Sequence, residues 1–399
     1  MEISTSKRLE GVGEYYFSQK LREIEELNKT GPAIINLGIG SPDLPPHPDV
    51  IKMLADGAAL TGTHGYQSYK GANVLRQAIA DWYEQWYQVK LDPEKETLPL
   101  MGSKEGILHT CMAYLNKGDK ALIPDPGYPT YQAAVQLAGG QAVSYKLKQS
   151  NNYEPDWEQL NKMDLRKYKL FFVNYPHMPT GKKATRELLT KIVAFAQQHN
   201  LLVIYDNPYS FILNSEPLSI LSIPGAKEVC LELNSLSKSH NMAGWRIGML
   251  SGKAERIQTI LRFKSNMDSG MFLPLQLAAA KALSLPATWY EQVNSVYERR
   301  RELVYTLLEL LGCRFSKEQS GLFVWATAPS HFLGEKYQKH EYDKGGWISD
   351  KVLNGARVFI TPGGIFGKEG INNIRVSLCA PEEKLNQSII LINQLIQTR

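Results

Sequence analysis

A chain of 399 residues is long enough for two or three folding units around a sizeable core. With 43% hydrophobic and 21% charged residues, 31 glycines and 21 prolines, its composition is globular, which excludes a disordered or collagen-like chain. The 45 basic and 40 acidic residues leave a net charge of +5, too mild to motivate nucleic-acid binding, and a mean hydropathy of -0.29 gives no support for a membrane protein.

Cys111, Cys230, Cys313 and Cys379 are widely separated and form no CxxC pair, which speaks against a zinc site or disulfide framework and for reduced core thiols. The opening MEISTSKRLEGVGEYY lacks the apolar core of a signal peptide, and no apolar run of about eighteen residues occurs. The expectation is a soluble cytoplasmic protein without metal, nucleic-acid or membrane partners.

In chain order, a helical pattern over 16–27 ends at Gly31 and Pro32. The apolar run 34–39 follows, and then GSPDLPPHP, which reads as an extended connector. Strands are expected at 98–101, 121–123, 170–174, 201–205, 229–233 and 246–251, with helices between most of them, the rhythm of an α/β protein with a mostly parallel sheet. A long helical pattern over 287–311 runs into Gly312, and a smaller α+β unit follows with strands near 322–325, 358–360 and 374–378. The predicted organisation is a large domain over 51–284, a small domain over 285–399, and a segment 1–50 that packs with the small domain.

The stretch SLSKSHNMAGWRIG (235–248) places Lys238 directly after an apolar strand, among small hydroxyl residues. A desolvated lysine there is suited to a Schiff base with an aldehyde cofactor, with Ser235, Ser237 and Arg246 available to a phosphate. An isolated SxSK would equally be a solvated loop. Upstream, LLVIYDNPY delivers Asp206 and Tyr209 at a strand's carboxyl end, the edge where open α/β sheets bind ligands. An aspartate there can keep a pyridine nitrogen protonated, and a phenol can bond a ring hydroxyl; alone, DNPY also reads as a turn. FFVNYPHMPTG ends its strand at Asn174. MGSKEGILHTCMAYL turns at Gly102 into a helix whose first amides, at Ser103 and Lys104, offer an anion site. PDPGYPTY sets Tyr128 where an aromatic could stack on a planar cofactor.

Taken in order, GSKEGI, PDPGYP, NYPHMPTG, YDNPY, SLSKSHNMAGWRIG and IRVSL resemble the class I/II aminotransferases, fold-type I pyridoxal-phosphate enzymes. GSKEGI and PDPGYPTY are most similar to the subgroup of LL-diaminopimelate, alanine and aromatic aminotransferases. The resemblance implies a pyridoxal 5'-phosphate enzyme that moves an amino group from an L-amino acid to a 2-oxo acid through a ping-pong cycle by way of pyridoxamine phosphate. It implies that Lys238 carries the cofactor as an internal aldimine and then acts as base and acid. Asp206 would pair with the ring nitrogen, Tyr209 with the ring oxygen, and Tyr128 would stack on the ring. Asn174 would belong to the cofactor site, while Ser103, Lys104, Ser235, Ser237 and Arg246 would surround the phosphate.

Tyr66, in HGYQSYKG, matches a tyrosine that reaches the neighbouring subunit's phosphate, which implies a homodimer with shared sites. Arg375 matches the fork that binds the substrate α-carboxylate, Gly40 a position of close substrate approach, and Tyr15 and Asn266 weaker substrate and cofactor contacts. One departure stands out: where the family turn supplies a second asparagine, this chain has Met178. Asn174, His177 or a water are the candidates to replace it. A C-S β-lyase on the same fold, or a PLP-binding protein without turnover, are the alternative readings of these motifs.

Overall fold

A computed structural model describes residues 3–338 and 343–398. Strand β1 (Ile35–Asn36) belongs to the N-terminal segment, and a seven-stranded sheet follows from β2 (Thr97–Leu100), β3 (Lys120–Asp125), β4 (Gln141–Lys146), β5 (Tyr168–Val173), β6 (Leu202–Asp206), β7 (Cys230–Ser235) and β8 (Gly248–Gly252), in the spatial order β2-β8-β7-β6-β5-β3-β4. β4-β3-β5-β6-β7 are parallel, and β8 is antiparallel to both β7 and β2. The inner strands are buried on both faces, so they read as continuous apolar runs such as LFFV and LVIYD.

The sequence reading missed only β4 in this sheet. It is the edge strand, with one buried residue of six, and QAVSYK carries little apolar signal. The crossover between β5 and β6 is the helix Arg186–His199, capped by the Thr185 hydroxyl, which accepts from the Leu188 N–H, and closed by Asn200 in the left-handed region.

The directions of these strands decide where the site forms. β3, β5, β6 and β7 all end at one edge of the sheet, at Asp125, Val173, Asp206 and Ser235. Because β8 runs the other way, its first residue Gly248 lies opposite Ser235 and Leu100 at that same edge. Asn174, Asp206, the Ser235–Lys238 turn, Arg246 and the Gly102–Ser103 turn therefore converge, though up to 144 residues separate them in the chain.

After the long helix Ala287–Leu310, the chain forms β9 (Phe323–Thr327), the hairpin β10 (His331–Phe332) and β11 (Glu335–Lys336), then β12 (Val358–Phe359), β13 (Thr361–Pro362) and β14 (Asn373–Ser377). β13-β14-β9 is an antiparallel sheet. The expected N-terminal strand is shorter than its apolar run: only Ile35–Asn36 pairs, in parallel with β12, while the Leu37 N–H still donates to the Phe359 carbonyl at 2.8 Å. The helix Tyr16–Lys29 buries Ile24 among Ile34, Leu353 and Phe359. Beyond it, Arg300 of the long helix grips Asp43 through both guanidinium nitrogens, at 2.6 and 2.9 Å, which anchors the extended connector. All four cysteines are free and buried. Among the described residues no helix is long and apolar enough to cross a membrane.

Candidate active site

A cavity of about 260 Å³ opens at the convergent sheet edge. Lys238 enters it from the short helix Leu236–Ser239, which follows β7 directly and is capped by the Ser235 hydroxyl. Its ammonium donates to the Gly40 carbonyl at 2.7 Å. Burial lowers its proton affinity, Cys379 opposes this in part, and the nearby Arg375 and Arg246 cations add to it, so the amine is biased toward the neutral, nucleophilic form.

Opposite lies Asp206, at the buried end of β6. One carboxylate oxygen, Oδ2, accepts from the Tyr131 hydroxyl at 2.7 Å, and the other, Oδ1, is buried without a hydrogen-bond partner. Burial raises the carboxyl to about 6, partly offset by Tyr131. A buried carboxylate with one oxygen unmatched fits a cationic ring nitrogen, which would supply the missing donor.

The phosphate end is built from backbone and hydroxyls. Gly102, at φ +86, precedes the helix Ser103–Tyr114, whose first amides have no side-chain cap. A Cβ on Gly102 would lie 2.2 Å from an Arg246 guanidinium nitrogen, so the arginine end would have to shift, and at φ +86 the backbone itself favours glycine. Ser103, Lys104, Ser235, Ser237 and Arg246 all line the cavity, and the Ser235 and Ser237 hydroxyls bond each other at 2.9 Å. Two cations, free amides and hydroxyls make a phosphate cradle. Lys104 also stands 4.7 Å from the Tyr15 ring centre and, by burial, holds its proton less tightly than a free lysine. The residues present thus fit pyridoxal phosphate at both ends.

Tyr15, Gly40, Tyr128, Asn174, Tyr209 and Arg375 line the remaining walls. Arg375, buried on β14, lies with its guanidinium carbon 3.8 Å from the Phe323 ring centre and 4.7 Å from that of Phe366, with Phe17 at 5.4 Å. It donates to the Gly38 carbonyl at 2.7 Å and to the Met178 sulfur at 3.3 Å, and its Nε has no partner. Burial brings it down to about 10, which leaves it charged at neutral pH.

At the turn with Met178, the polar neighbours Asn174 and His177 are engaged within the chain. Asn174 is turned inward, donating to the Asp206 backbone carbonyl at 2.6 Å and accepting from the Met178 N–H at 2.7 Å, so it braces the turn. His177 is buried, bonded to the Thr180 hydroxyl at 2.8 Å, and lies outside the cavity lining. Burial lowers it to about 3. The expectation that His177 could replace the asparagine is therefore corrected. Asn266 likewise lies outside the lining, on the surface, donating to the Arg262 carbonyl. Tyr66 is 94% exposed and does not reach the cavity of its own chain.

Sequence reasoning missed Tyr131 and the aromatic cage of Arg375. Tyr131 sits three residues after Tyr128 on the same helix face, a spacing that could have paired them. Phe323 could not be found without the β9–β14 register, which puts it opposite Ser377, diagonal to Arg375.

The family model described as aminotransferase class I and II matches residues 32–390. The chain is 40% identical to an LL-diaminopimelate aminotransferase of Dehalococcoides mccartyi over 97% of both chains, and 36% identical to one of Halothermothrix orenii over 97% of both. Its backbone is similar to substrate-bound BacF from Bacillus subtilis, with a TM-score of 0.91 and 36% identity over 99% of this chain and 98% of the other.

Proposed function

This chain belongs to the class I and II aminotransferases, which are pyridoxal-phosphate enzymes, and on that premise we propose which residues do the work and on what donor. When bound, the cofactor supplies an aldehyde that captures the donor's amino group and a ring that accepts the electron pair released at Cα. Lys238 would hold the cofactor and, as the cavity's buried amine, would accept the proton from the donor's Cα and give it back. Asp206, with its unmatched oxygen, holds the ring-nitrogen proton, and the orphaned Oδ1 is the observation that carries this assignment. Tyr209 and Tyr128, both in the cavity lining, would hold the ring oxygen and the ring face respectively. Ser103, Lys104, Ser235, Ser237 and Arg246 fix the phosphate. Arg375 binds the α-carboxylate of donor and acceptor in turn, beside Gly40 and Tyr15, and so selects amino and 2-oxo acids.

The donor proposed is LL-diaminopimelate, supported by the names of the relatives. The working unit proposed is a homodimer in the cytoplasm. Tyr66, Phe272, Met53, Leu60 and Val74 are exposed on one set of packed helices and loops, and four buried free thiols suit a reducing compartment. The domain division proposed is a large domain over 51–284, a small domain over 285–399, and a segment 1–50 packing with the small domain.

Absorbance of the PLP-loaded chain during titration with a panel of L-amino acids tests the reading. Conversion to the pyridoxamine form by LL-diaminopimelate, absent in Lys238→Ala, is the expected result. Conversion by aromatic donors alone would overturn the donor assignment, and release of pyruvate and thiol from cysteine-like donors would indicate a lyase.

A further inference from the structure

A second cavity, of about 590 Å³, lies behind the Asn174–Thr180 turn, between the loops of the large sheet and the β9–β14 sheet. Among its lining residues five side chains are cationic, Lys182, Lys183, Arg301, Arg314 and Lys317, against a single carboxylate, Glu318. Only Lys182 has an ion-pair partner within 4.0 Å among the described residues, Glu154 at 3.6 Å. The other four have none.

The cations are also held close to one another. Arg301, on the long helix, and Lys317, on the segment that follows it, both approach the Tyr305 ring, at 5.9 and 5.3 Å. The Lys317 backbone is held beside that ring, because its carbonyl accepts the Tyr305 hydroxyl at 3.0 Å. Arg301 Nε is buried and has no hydrogen-bond partner. Gathering five cations in a concave surface with only Glu318 in the lining and Glu154 beside Lys182 to offset them is unfavourable, and the potential in such a cleft concentrates anions. The Asn152 amide and the Ser316 hydroxyl, also in the lining, add neutral donors.

We propose that this cleft is a binding site for a small polyanion, one carrying at least two carboxylate or phosphate groups, separate from the amino-transfer site. Its size excludes neither class, and five donors of positive charge spread around about 590 Å³ suit a ligand with several anionic groups better than a single carboxylate. The ligand would bridge the loop around Lys182 and Lys183 to the segment of Arg314 and Lys317. Both anchors are tied to the same framework, since the Ser320 N–H donates to the Gly181 carbonyl at 2.9 Å and the Gln319 amide bonds Trp325 on both backbone atoms.

The test is calorimetric titration of the PLP-loaded protein with inorganic pyrophosphate and, separately, with citrate, at constant ionic strength set with sodium chloride. Arg314 and Lys317 are exposed, so the double variant Arg314→Ala/Lys317→Ala should leave the fold and the unliganded amino-transfer rate unchanged. Saturable binding of at least one anion, weakened tenfold or more in the double variant and retained in Arg314→Lys/Lys317→Arg, is the expected result. The preferred anion tells phosphate from polycarboxylate recognition. Absence of saturable binding in the parent at millimolar anion, or equal binding by parent and double variant, would overturn the proposal. Neither outcome depends on which amino acid the enzyme uses, so it can fail while the amino-transfer assignment stands.

Discussion

Replacing Tyr131 by phenylalanine isolates what holds Asp206 ready. The ring stacks on Phe172 at 5.0 Å between centres and meets Tyr128 edge-on at 5.6 Å, contacts that a phenyl ring keeps. What disappears is one hydroxyl donating to Asp206 Oδ2 at 2.7 Å, the only hydrogen bond the carboxylate receives among the described residues. A hydrogen bond to a charged group contributes about 1.5–3 kcal/mol, equivalent to about one to two pH units in where the carboxyl releases its proton. In the parent, burial already raises it to about 6. Cofactor binding requires the ionised carboxylate, so the variant must expel a proton over a wider pH range before it can pair with the ring.

The ratio of variant to parent dissociation constants for PLP should therefore depend on pH. At about pH 5.5 it should reach roughly ten-fold or more, and it should approach one by about pH 9, where Asp206 is ionised in both proteins. Titration of the cofactor's own phosphate, and of Lys238, cancels in the ratio. The assay is PLP binding followed by absorbance across that range, with thermal melts of the cofactor-free proteins to verify that both are folded. A ratio that stays flat, or one that grows as pH rises, would refute the argument.

Arg375→Lys keeps the charge but loses the planar fork and the stacking on Phe323. It should raise KM for donor and 2-oxo acid together by about ten- to a hundred-fold, equivalent to about 1.4–2.7 kcal/mol, with kcat less affected, read from steady-state kinetics. Gly102→Ala places a Cβ against Arg246 in a backbone region unfavourable to alanine, so PLP should dissociate at least ten times more readily in equilibrium dialysis while Lys238 remains intact; unchanged retention would show that Arg246 does not depend on that close approach. Asp206 and Glu232 are raised by burial, to about 6 and about 7. Each holds its proton in the folded chain over a pH range where the unfolded chain has lost it, so the stability they confer is present below about pH 4 and lost as pH rises through 6 to 7, on the order of 3 kcal/mol apiece. Urea unfolding of the cofactor-free protein should show a smaller loss between pH 4 and 8 for Asp206→Asn than for the parent; equal slopes would contradict it.

The parts of the fold legible in the sequence were those with a local signature. Central strands are apolar on both faces because both faces are covered, and each ends in a polar or small residue where the site begins, so Asn174, Asp206 and Ser235 could be placed at strand ends from the chain alone. β4 was invisible because an edge strand exposes most of its residues and carries mixed chemistry. The phosphate cradle was legible through Gly102 and the SxSK turn, since backbone geometry restricts residue type there. Tyr131 and Phe323 were not, because an aromatic residue in a helix or strand looks the same whether it fills a core or faces a cavity, and only the register between distant elements distinguishes the two.

The environment of the site explains how Met178 can stand where the family has an asparagine. Asp206, Lys238 and Arg375 are all shifted toward their neutral forms, and burial is the largest cause for each. Each is also incompletely paired: Asp206 and Arg375 each retain a polar atom without a partner, and Lys238 meets only a backbone carbonyl. A cationic ring nitrogen and an anionic carboxylate each complete one of these groups, in surroundings where water competes weakly, so binding strength rests on a few charge-assisted contacts. An asparagine amide in the Met178 position would add a neutral donor to that set. It would also replace the thioether that now receives Arg375 at 3.3 Å and packs the cage around the guanidinium. Met178→Asn should therefore raise affinity on the cofactor side while loosening Arg375, giving tighter PLP retention together with a higher KM for the donor. A variant in which both improve would show that the thioether does not help to position the arginine.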